Sequence, residues 1–293
     1  MPSIRVRTGV ELFHEEFGAP EAPPLLLIMG LGAQLTTWPE EFCRTLAGRG
    51  FRVIRYDNRD VGLSSWLDAA GMPDLGGIAA GAASAAYSLA DLVEDASGLL
   101  TALEVPAAHV VGASMGGMIA QLFAIEHPEQ VLSLCSLMSF CEGFRDSVPP
   151  TAEAMATLLT PVPGERQAFV EHMVGVNRII WAASFDEARA RRTSPHAYDR
   201  AFHPEGTARH AAAIWSTPGW RSRLAEVRCP ALVMHGLDDP LVPVENGRRT
   251  HAALPEGAEL VLIEGMGHDL PPFAFERMAG AIAANAARAK VTA

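Results

Sequence analysis

The sequence predicts an α/β protein with a mostly parallel, doubly wound sheet and an inserted helical region. Three observations lead to this prediction. Strand-like and helix-like patterns alternate along most of the chain, as they do when parallel strands are joined by crossover helices. Several strands are continuous apolar runs, which need burial on both faces. One long stretch, residues 141–222, has apolar side chains at helical spacing between two such runs.

The strands are predicted from apolar runs and from polar/apolar alternation. Alternation around Thr8 and Gly9 predicts an antiparallel hairpin at the N-terminal edge, whereas the later runs are apolar throughout. The predicted strands are residues 4–7, 10–14, 25–29, 51–56, 109–112, 131–138, 231–235 and 259–263.

The helices are predicted from a 3.6-residue apolar period and from start and stop residues. Ser88 and Asp91 form a capping-box pattern ahead of a helical run, and Gly50 ends the first helix. The predicted helices are residues 37 or 38 to 48, 89–103, 118–127, 245–253 and 273–287.

Two segments break this alternation. Residues 68–86 are rich in glycine and alanine, so with few large side chains to bury we expect a mobile loop there. Residues 141–222 predict a helical cap inserted into the core. The predicted domains are therefore a core of residues 1–140 and 223–293, and a cap of residues 141–222.

Composition excludes several classes of protein. Of 293 residues, 49% are hydrophobic and 19% charged, which suits a well-filled core. The net charge is −11 and the basic residues are scattered, so we expect no nucleic-acid partner. The N-terminus lacks the layout of a secretory signal, and no apolar run reaches membrane-spanning length. We therefore expect a cytoplasmic protein without membrane association, and composition leaves the oligomeric state open.

The cysteines and the histidines of the insertion do not predict a metal site. The cysteines lack C-x-x-C spacing, so we expect reduced thiols, with Cys141 more exposed than the other three, Cys43, Cys135 and Cys229. Three histidines of the insertion have suggestive spacing, but we expect them on solvated helix faces: His196, His203 and His210. No metal and no cofactor are predicted.

One serine stands between a predicted strand and a predicted helix. The pattern Gly112-Ala113-Ser114-Met115-Gly116 is a nucleophile elbow, in which small flanking residues allow the strained turn that exposes the serine hydroxyl. An ordinary Gly/Ser turn has the same pattern, so the motif alone does not decide. If it is an elbow, Ser114 is the candidate nucleophile.

An acid and a base follow in the order that a serine nucleophile needs. Asp238 and Asp239 come after the strand at 231–235, and His268 comes after the strand at 259–263. Serine requires a base that a carboxylate holds in one tautomer. All of these positions lie at carboxyl ends of predicted parallel strands, the edge where such sheets bind ligands.

At this point the sequence resembles a known family, the serine α/β-hydrolases with a helical cap, and within it the aclacinomycin methylesterase-like esterases. The resemblance covers nearly the whole core but not the insertion. It is carried by Trp38-Pro39-x-Glu41-Phe42, Ile54-Arg55-Tyr56-Asp57-x-Arg59-Asp60-x-Gly62-x-Ser64, His109-Val110-Val111-Gly112-x-Ser114-Met115-Gly116 and Gly265-Met266-Gly267-His268-x-Leu270-Pro271.

The resemblance implies an α/β-hydrolase fold and assigns further residues. The family pattern places the acid four residues before a proline, which selects Asp239 over Asp238 because Pro243 follows at that spacing. The oxyanion hole is then expected from two backbone N–H groups, those of Met115 and Leu31. Many relatives carry His-Gly before this second donor, where this chain has Met29 and Gly30.

These residues predict a carboxylic ester hydrolase of the serine type. Ser114 would attack the ester carbonyl with His268 as base, Asp239 would orient the imidazole, and an acyl-enzyme would follow. The expected partner is a small-molecule ester. Trp181 and Trp215 of the insertion are candidate substrate contacts, which would favour an apolar or aromatic ester.

Several alternatives have the same fold class. Gly30, Gly32 and Asp57 imitate a dinucleotide-binding unit, but Leu35 stands where that motif needs a small residue. Asp57 and Arg59 are therefore expected to brace a loop under the site. Haloalkane dehalogenases and epoxide hydrolases use an aspartate nucleophile and are set aside. Carbon–carbon bond hydrolases, cofactor-free perhydrolases, an acyltransferase and a non-catalytic ligand-binding receptor remain open.

Overall fold

A single eight-stranded sheet organises the protein. The structure, a computed structural model, describes residues 3–289. The strands are β1 Ser3–Arg5, β2 Glu11–Phe17, β3 Pro24–Ile28, β4 Arg52–Tyr56, β5 Ala108–Ala113, β6 Val131–Leu137, β7 Ala231–Gly236 and β8 Glu259–Ile263. Their order is β1-β2-β4-β3-β5-β6-β7-β8. Among the described strands, β2 pairs antiparallel with β1 and with β4, and all other neighbouring strands pair parallel. This confirms the predicted parallel sheet with an antiparallel edge.

Helices cover both faces of the sheet because its central strands are apolar on both sides. Leu26 and Ile28 of β3 belong to one hydrophobic core, and Leu25 and Leu27 to the other. Helices α3 Leu89–Ala102 and α4 Met115–Glu126 contribute to the first core, and α1 Glu40–Gly48 and α10 Phe275–Ala287 to the second. Helix α9 Val244–Ala253 lies between β7 and β8 in the chain.

Local signals in the sequence account for the ends of two helices. The predicted capping box is present at α3, where the Ser88 amide donates to the Asp91 carboxylate over 2.8 Å. Helix α1 begins later than predicted, at Glu40, because Pro39 is extended at its N-cap and residues 35–37 form a separate 3₁₀ turn.

Part of the glycine- and alanine-rich segment is helical, contrary to the prediction of a loop throughout. Helix α2 Leu75–Ala80 is capped by Asp74, whose carboxylate accepts from the Gly77 amide over 2.8 Å. Ile78 is buried, and α2 packs against a helix of the insertion, α8 Pro204–Ser216. The prediction failed because this helix buries one large side chain and leaves almost no apolar period.

The chain between β6 and β7 is helical, as the spacing of its apolar residues predicts. It contains α5 Ala152–Leu159, α6 Arg166–Ile180, α7 Glu187–Arg200 and the helix α8 named above. We call residues 141–222 the helical insertion. Its two ends meet at the core, where the Trp220 amide donates to the Cys141 carbonyl over 2.9 Å. Cys141 is fully buried there, so the expectation of a more exposed thiol was wrong.

Buried ion pairs join the helical insertion to the loops at the carboxyl ends of the strands. Arg200 of α7 pairs with Asp57 over 2.7 Å, and Arg209 of α8 with Asp60 over 2.7 Å. Burial raises the pKa of Asp57, although the Arg200 guanidinium opposes this shift. Since a buried charge is costly without a partner, these pairs fix the position of the insertion. Within residues 3–289, no helix is both long and apolar enough to span a bilayer.

Candidate active site

Ser114 occupies a strained turn between β5 and α4. Its backbone has φ 56° and ψ −122°, a left-handed conformation that costs a non-glycine residue about 1–3 kcal/mol. A Cβ atom on Gly112 would overlap the Gly116 carbonyl, and one on Gly116 would overlap the Ile28 carbonyl. The Ser114 amide donates to the Leu137 carbonyl over 2.9 Å. The small residues of the motif are thus required by close backbone packing.

Asp239 and His268 lie together at the carboxyl ends of β7 and β8. His268 Nδ1 is 2.7 Å from Asp239 Oδ2, and Asp239 Oδ1 accepts from the amides of Leu241 (2.9 Å) and Val242 (2.8 Å). Asp238, the alternative acid, is exposed. These contacts leave Asp239 as the carboxylate that faces the imidazole.

The Asp239 carboxylate is held ionised. Burial alone raises its pKa, but the charge and hydrogen bond of His268 and the nearby imidazole of His235 outweigh burial and lower the pKa to about 2. A carboxylate that is ionised at neutral pH accepts the proton of His268 Nδ1. The other ring nitrogen, Nε2, is then free to accept a proton.

His235, which no sequence pattern predicted as a site residue, is a neighbour of Asp239. It is fully buried at the end of β7, with Nε2 2.7 Å from the Val242 carbonyl and 3.6 Å from Asp239 Oδ2. The carbonyl can only accept, so His235 Nε2 carries the proton. The signal in the sequence was the four-residue spacing between His235 and Asp239 across one tight turn.

The helical insertion holds the loop that carries His268. The His268 amide donates to the Ile180 carbonyl over 2.7 Å, at the end of α6. The next residue, Asp269, accepts from Ser184 Oγ over 2.6 Å and pairs with Arg189. The Arg189 guanidinium lies 3.9 Å from the centre of the Trp181 ring, so this predicted substrate contact lies beside the His268 loop.

The loop after β3 lies directly against Ser114. A Cβ atom on Gly30 would come within 2.9 Å of Ser114 Cβ and 3.3 Å of Ser114 Oγ. Leu31 is the next residue, and Met115 is the first residue of α4, where a helix leaves its amide without an internal acceptor. The structure therefore places the two predicted donor residues on the elements that flank the serine.

Trp215 lies at a surface groove. Its ring stacks on Phe144 with 5.2 Å between ring centres. It lines a groove of about 640 Å³ together with Ile78, Tyr87 and Arg145. Ser114 and His268 are not among the described residues of this lining. A role for Trp215 in substrate binding remains a prediction.

Of the three histidines with suggestive spacing, His196, His203 and His210, only His196 is exposed. His203 is half-buried: Nε2 lies 2.7 Å from Asp68 Oδ1, and Nδ1 caps α8 by accepting from the Gly206 amide over 3.1 Å. His210 is fully buried. The expectation of solvated faces was wrong for these two, because α8 packs against core loops. In the described part of the chain no three histidine, cysteine, aspartate or glutamate side chains form a metal cluster.

Asp57 and Arg59 brace loops, as their sequence positions predict. Asp57 accepts from the Leu35 amide over 2.7 Å and the Leu63 amide over 2.9 Å. Arg59 donates twice to Asp95, at 2.5 and 2.7 Å. Asp57 thus holds both the 3₁₀ turn at residues 35–37 and the loop after β4.

The sequence and the fold of this chain are similar to those of known hydrolases. A model of the alpha/beta hydrolase fold matches residues 23–274. Rhodomycin D methylesterase DauP from a Streptomyces species is 32% identical over 99% of this chain and 100% of its own length. An esterase from a Rhodococcus species superposes with a TM-score of 0.79 at 18% identity, covering 98% of each chain. A meta-cleavage product hydrolase from Pseudomonas fluorescens gives 0.77 at 19% identity, covering 99% of this chain and 98% of its own.

Proposed function

Because this chain belongs to the α/β-hydrolase family, we propose that it is a carboxylic ester hydrolase that acts through Ser114, His268 and Asp239. The observation that carries the proposal is the 2.7 Å contact between Asp239 and His268 at the same sheet edge as the strained Ser114 turn. The similarity to a methylesterase over the full chain supports an ester as substrate.

Acylation follows from the proton positions. His268 Nε2 takes the proton of Ser114 as the serine oxygen attacks the ester carbonyl, and Asp239 stabilises the imidazolium. The amides of Met115 and Leu31 donate to the developing oxyanion. His268 then gives its proton to the departing alkoxide, so the carbon–oxygen bond breaks with release of an alcohol and an acyl-enzyme remains.

Deacylation repeats these steps with water. His268 Nε2 removes a proton from water, the resulting hydroxide attacks the acyl carbon, and the proton returns to Ser114 Oγ as the ester bond to the enzyme breaks. The products are a carboxylic acid and the free enzyme. The proposed reaction uses no cofactor.

The helical insertion serves, in this proposal, as a cap over the site. It holds the His268 loop through Ile180 and Asp269, and it carries the two tryptophans predicted to contact substrate. The substrate class that we propose is a methyl ester with a bulky apolar or aromatic acyl part. The methyl group follows from the methylesterase relative, and the apolar acyl part from the two tryptophans.

Replacing Trp215 with alanine tests the substrate class. We expect kcat/KM to fall about tenfold for bulky aromatic methyl esters and less than twofold for acetates, since a lost apolar contact changes binding by about 1–3 kcal/mol. Steady-state kinetics with the two ester types measure this. Equal losses for both would assign Trp215 to packing on Phe144 alone.

Replacing Gly30 with alanine tests the placement of the loop after β3. The new methyl group would lie 2.9 Å from Ser114 Cβ, so the nucleophile must shift. We expect kcat to fall about 100-fold, as small misplacements of reacting groups do. Gly48→Ala is the control, because no atom lies within 4 Å of a Cβ there. Equal activity of both variants would contradict this placement of the loop.

Labelling and turnover together test the proposed function. The protein is incubated with a fluorophosphonate and with p-nitrophenyl butyrate, and the peptide that contains Ser114 is examined by mass spectrometry. We expect a phosphonyl adduct on Ser114 and sustained release of nitrophenol. A single burst without turnover would favour the receptor alternative. If the protein cleaves a carbon–carbon bond next to a ketone but hydrolyses no ester, a carbon–carbon bond hydrolase is favoured.

A further inference from the structure

We infer that His210 is a positioning residue for the oxyanion hole: it holds the loop of residues 29–33 from helix α8 through the Gly32 amide. The inference rests on the proposed function, because it assigns the Leu31 amide of this loop as an oxyanion donor. The observation is the 3.1 Å hydrogen bond from the Gly32 amide to His210 Nδ1.

Helix α8 packs directly on this loop at two side chains of one face. Gly32 has φ 63°, and a Cβ atom there would overlap the side chain of Thr207. His210 lies one helical turn after Thr207, on the same face. Gly32 therefore permits both the turn and the close approach of α8, and the hydrogen bond to His210 fixes its orientation.

Both nitrogens of His210 have defined roles. Nε2 lies 2.8 Å from the Arg59 carbonyl, which can only accept, so Nε2 carries the proton. Nδ1 must then be the acceptor for the Gly32 amide. Burial lowers the pKa of the imidazole to about 4, despite the opposing carboxylate of Asp60, so the neutral ring persists at neutral pH.

The Gly32 amide belongs to the same peptide unit as the Leu31 carbonyl. Fixing this unit limits the rotation of Leu31, the residue whose own amide faces the oxyanion in our proposal. The loop is held on its other side as well, where Asn58 Nδ2 donates to the Met29 carbonyl over 2.9 Å. His210 and Asn58 thus hold the peptide units on either side of Gly30 and Leu31.

The experiment compares His210→Phe, which removes both hydrogen bonds, with His210→Gln, whose amide offers an acceptor and a donor. His196→Gln, at the exposed histidine of α7, is the control. For His210→Phe we expect kcat on p-nitrophenyl butyrate to fall about 10- to 100-fold with KM within twofold, because a misplaced donor loses transition-state stabilisation only. His210→Gln should recover most of kcat, and His196→Gln should match the wild type.

Two further readouts separate positioning from general stability. The affinity of a trifluoromethyl ketone, whose adduct places an oxyanion in the hole, should fall by the same factor as kcat. In the wild type, amide hydrogen exchange at Gly32 should be slower than at Leu31, and His210→Phe should remove the difference.

The inference is overturned by a folded His210→Phe variant with wild-type kcat. It is also overturned if substrate binding weakens by as large a factor as kcat and the ketone affinity. If that variant does not fold, rapid exchange at Gly32 in the wild type overturns it equally. Absence of ester turnover by the wild type would instead remove the proposed function, and Gly32 exchange would still test the hydrogen bond.

Discussion

Replacing Ser114 with alanine is expected to lower kcat for ester hydrolysis about 10⁵- to 10⁶-fold. The change removes the only atom that forms the acyl bond in our proposal, and loss of a serine nucleophile has effects of this size in other serine hydrolases. Residual activity should come from the oxyanion amides alone. Steady-state kinetics with p-nitrophenyl butyrate measure the loss, and the phosphonyl adduct should disappear in parallel.

The fold should survive this substitution. The Ser114 hydroxyl supports none of the hydrogen bonds described above at the turn: its backbone amide donates to Leu137, and its carbonyl accepts from Ser139 Oγ over 2.8 Å. The melting temperature should therefore change little. Ser222→Ala, at an exposed serine, is the matched control and should keep full activity and labelling. Normal labelling of Ser114→Ala would identify a different nucleophile.

Local patterns sufficed to predict the sheet and its connections. The apolar runs of β3 and β5 alternate between two cores, and burial on both faces is what such runs require. The capping box at Ser88 was visible for the same reason, since all its partners lie within four residues. Helix α2 was missed because its stability depends on α8, more than 120 residues later in the chain.

Some residues of the candidate site could be predicted from the sequence and others could not. Ser114, His268 and the pair Asp238 and Asp239 could be proposed from position, because parallel strands bring their carboxyl ends to one edge. The choice of Asp239 over Asp238 needed the resemblance to the family pattern. His210 and His235 could not be interpreted, since their importance depends on which carbonyl or amide faces each ring. The sequence pattern of α8 does not state which of its faces meets the core, and His210 was therefore placed in solvent.

The helical insertion has a more direct relation to the site than its position in the sequence suggests. Its helices contact three loops at the sheet edge: α6 at His268, α7 at Asp57 and α8 at Gly32. Removing one partner of a buried ion pair lowers the free energy of unfolding by about 3–5 kcal/mol. The pairs of Arg200 with Asp57 and of Arg209 with Asp60 therefore hold α7 and α8 against the loop after β4. Changes in the insertion are thus expected to alter rate as well as substrate choice.

Replacing Asp239 with asparagine is expected to lower kcat about 10⁴-fold while the protein remains folded. The asparagine oxygen can still accept from the amides of Leu241 and Val242, which directs its NH₂ group toward His268 Nδ1. Nδ1 must then accept, the ring proton moves to Nε2, and His268 can no longer take the proton of Ser114. Kinetics with p-nitrophenyl butyrate and the melting temperature measure the two effects.

Asp238→Asn is the control because it makes the same chemical change one residue earlier. Asp238 is exposed and its carboxylate does not face His268, so this variant should retain wild-type kcat. The opposite result, with Asp238→Asn inactive and Asp239→Asn active, would mean that the loop after β7 is rearranged in the working enzyme. If both variants lose equally little kcat, the Asp239 carboxylate has no part in the mechanism. His268 would then keep the tautomer of a general base without Asp239.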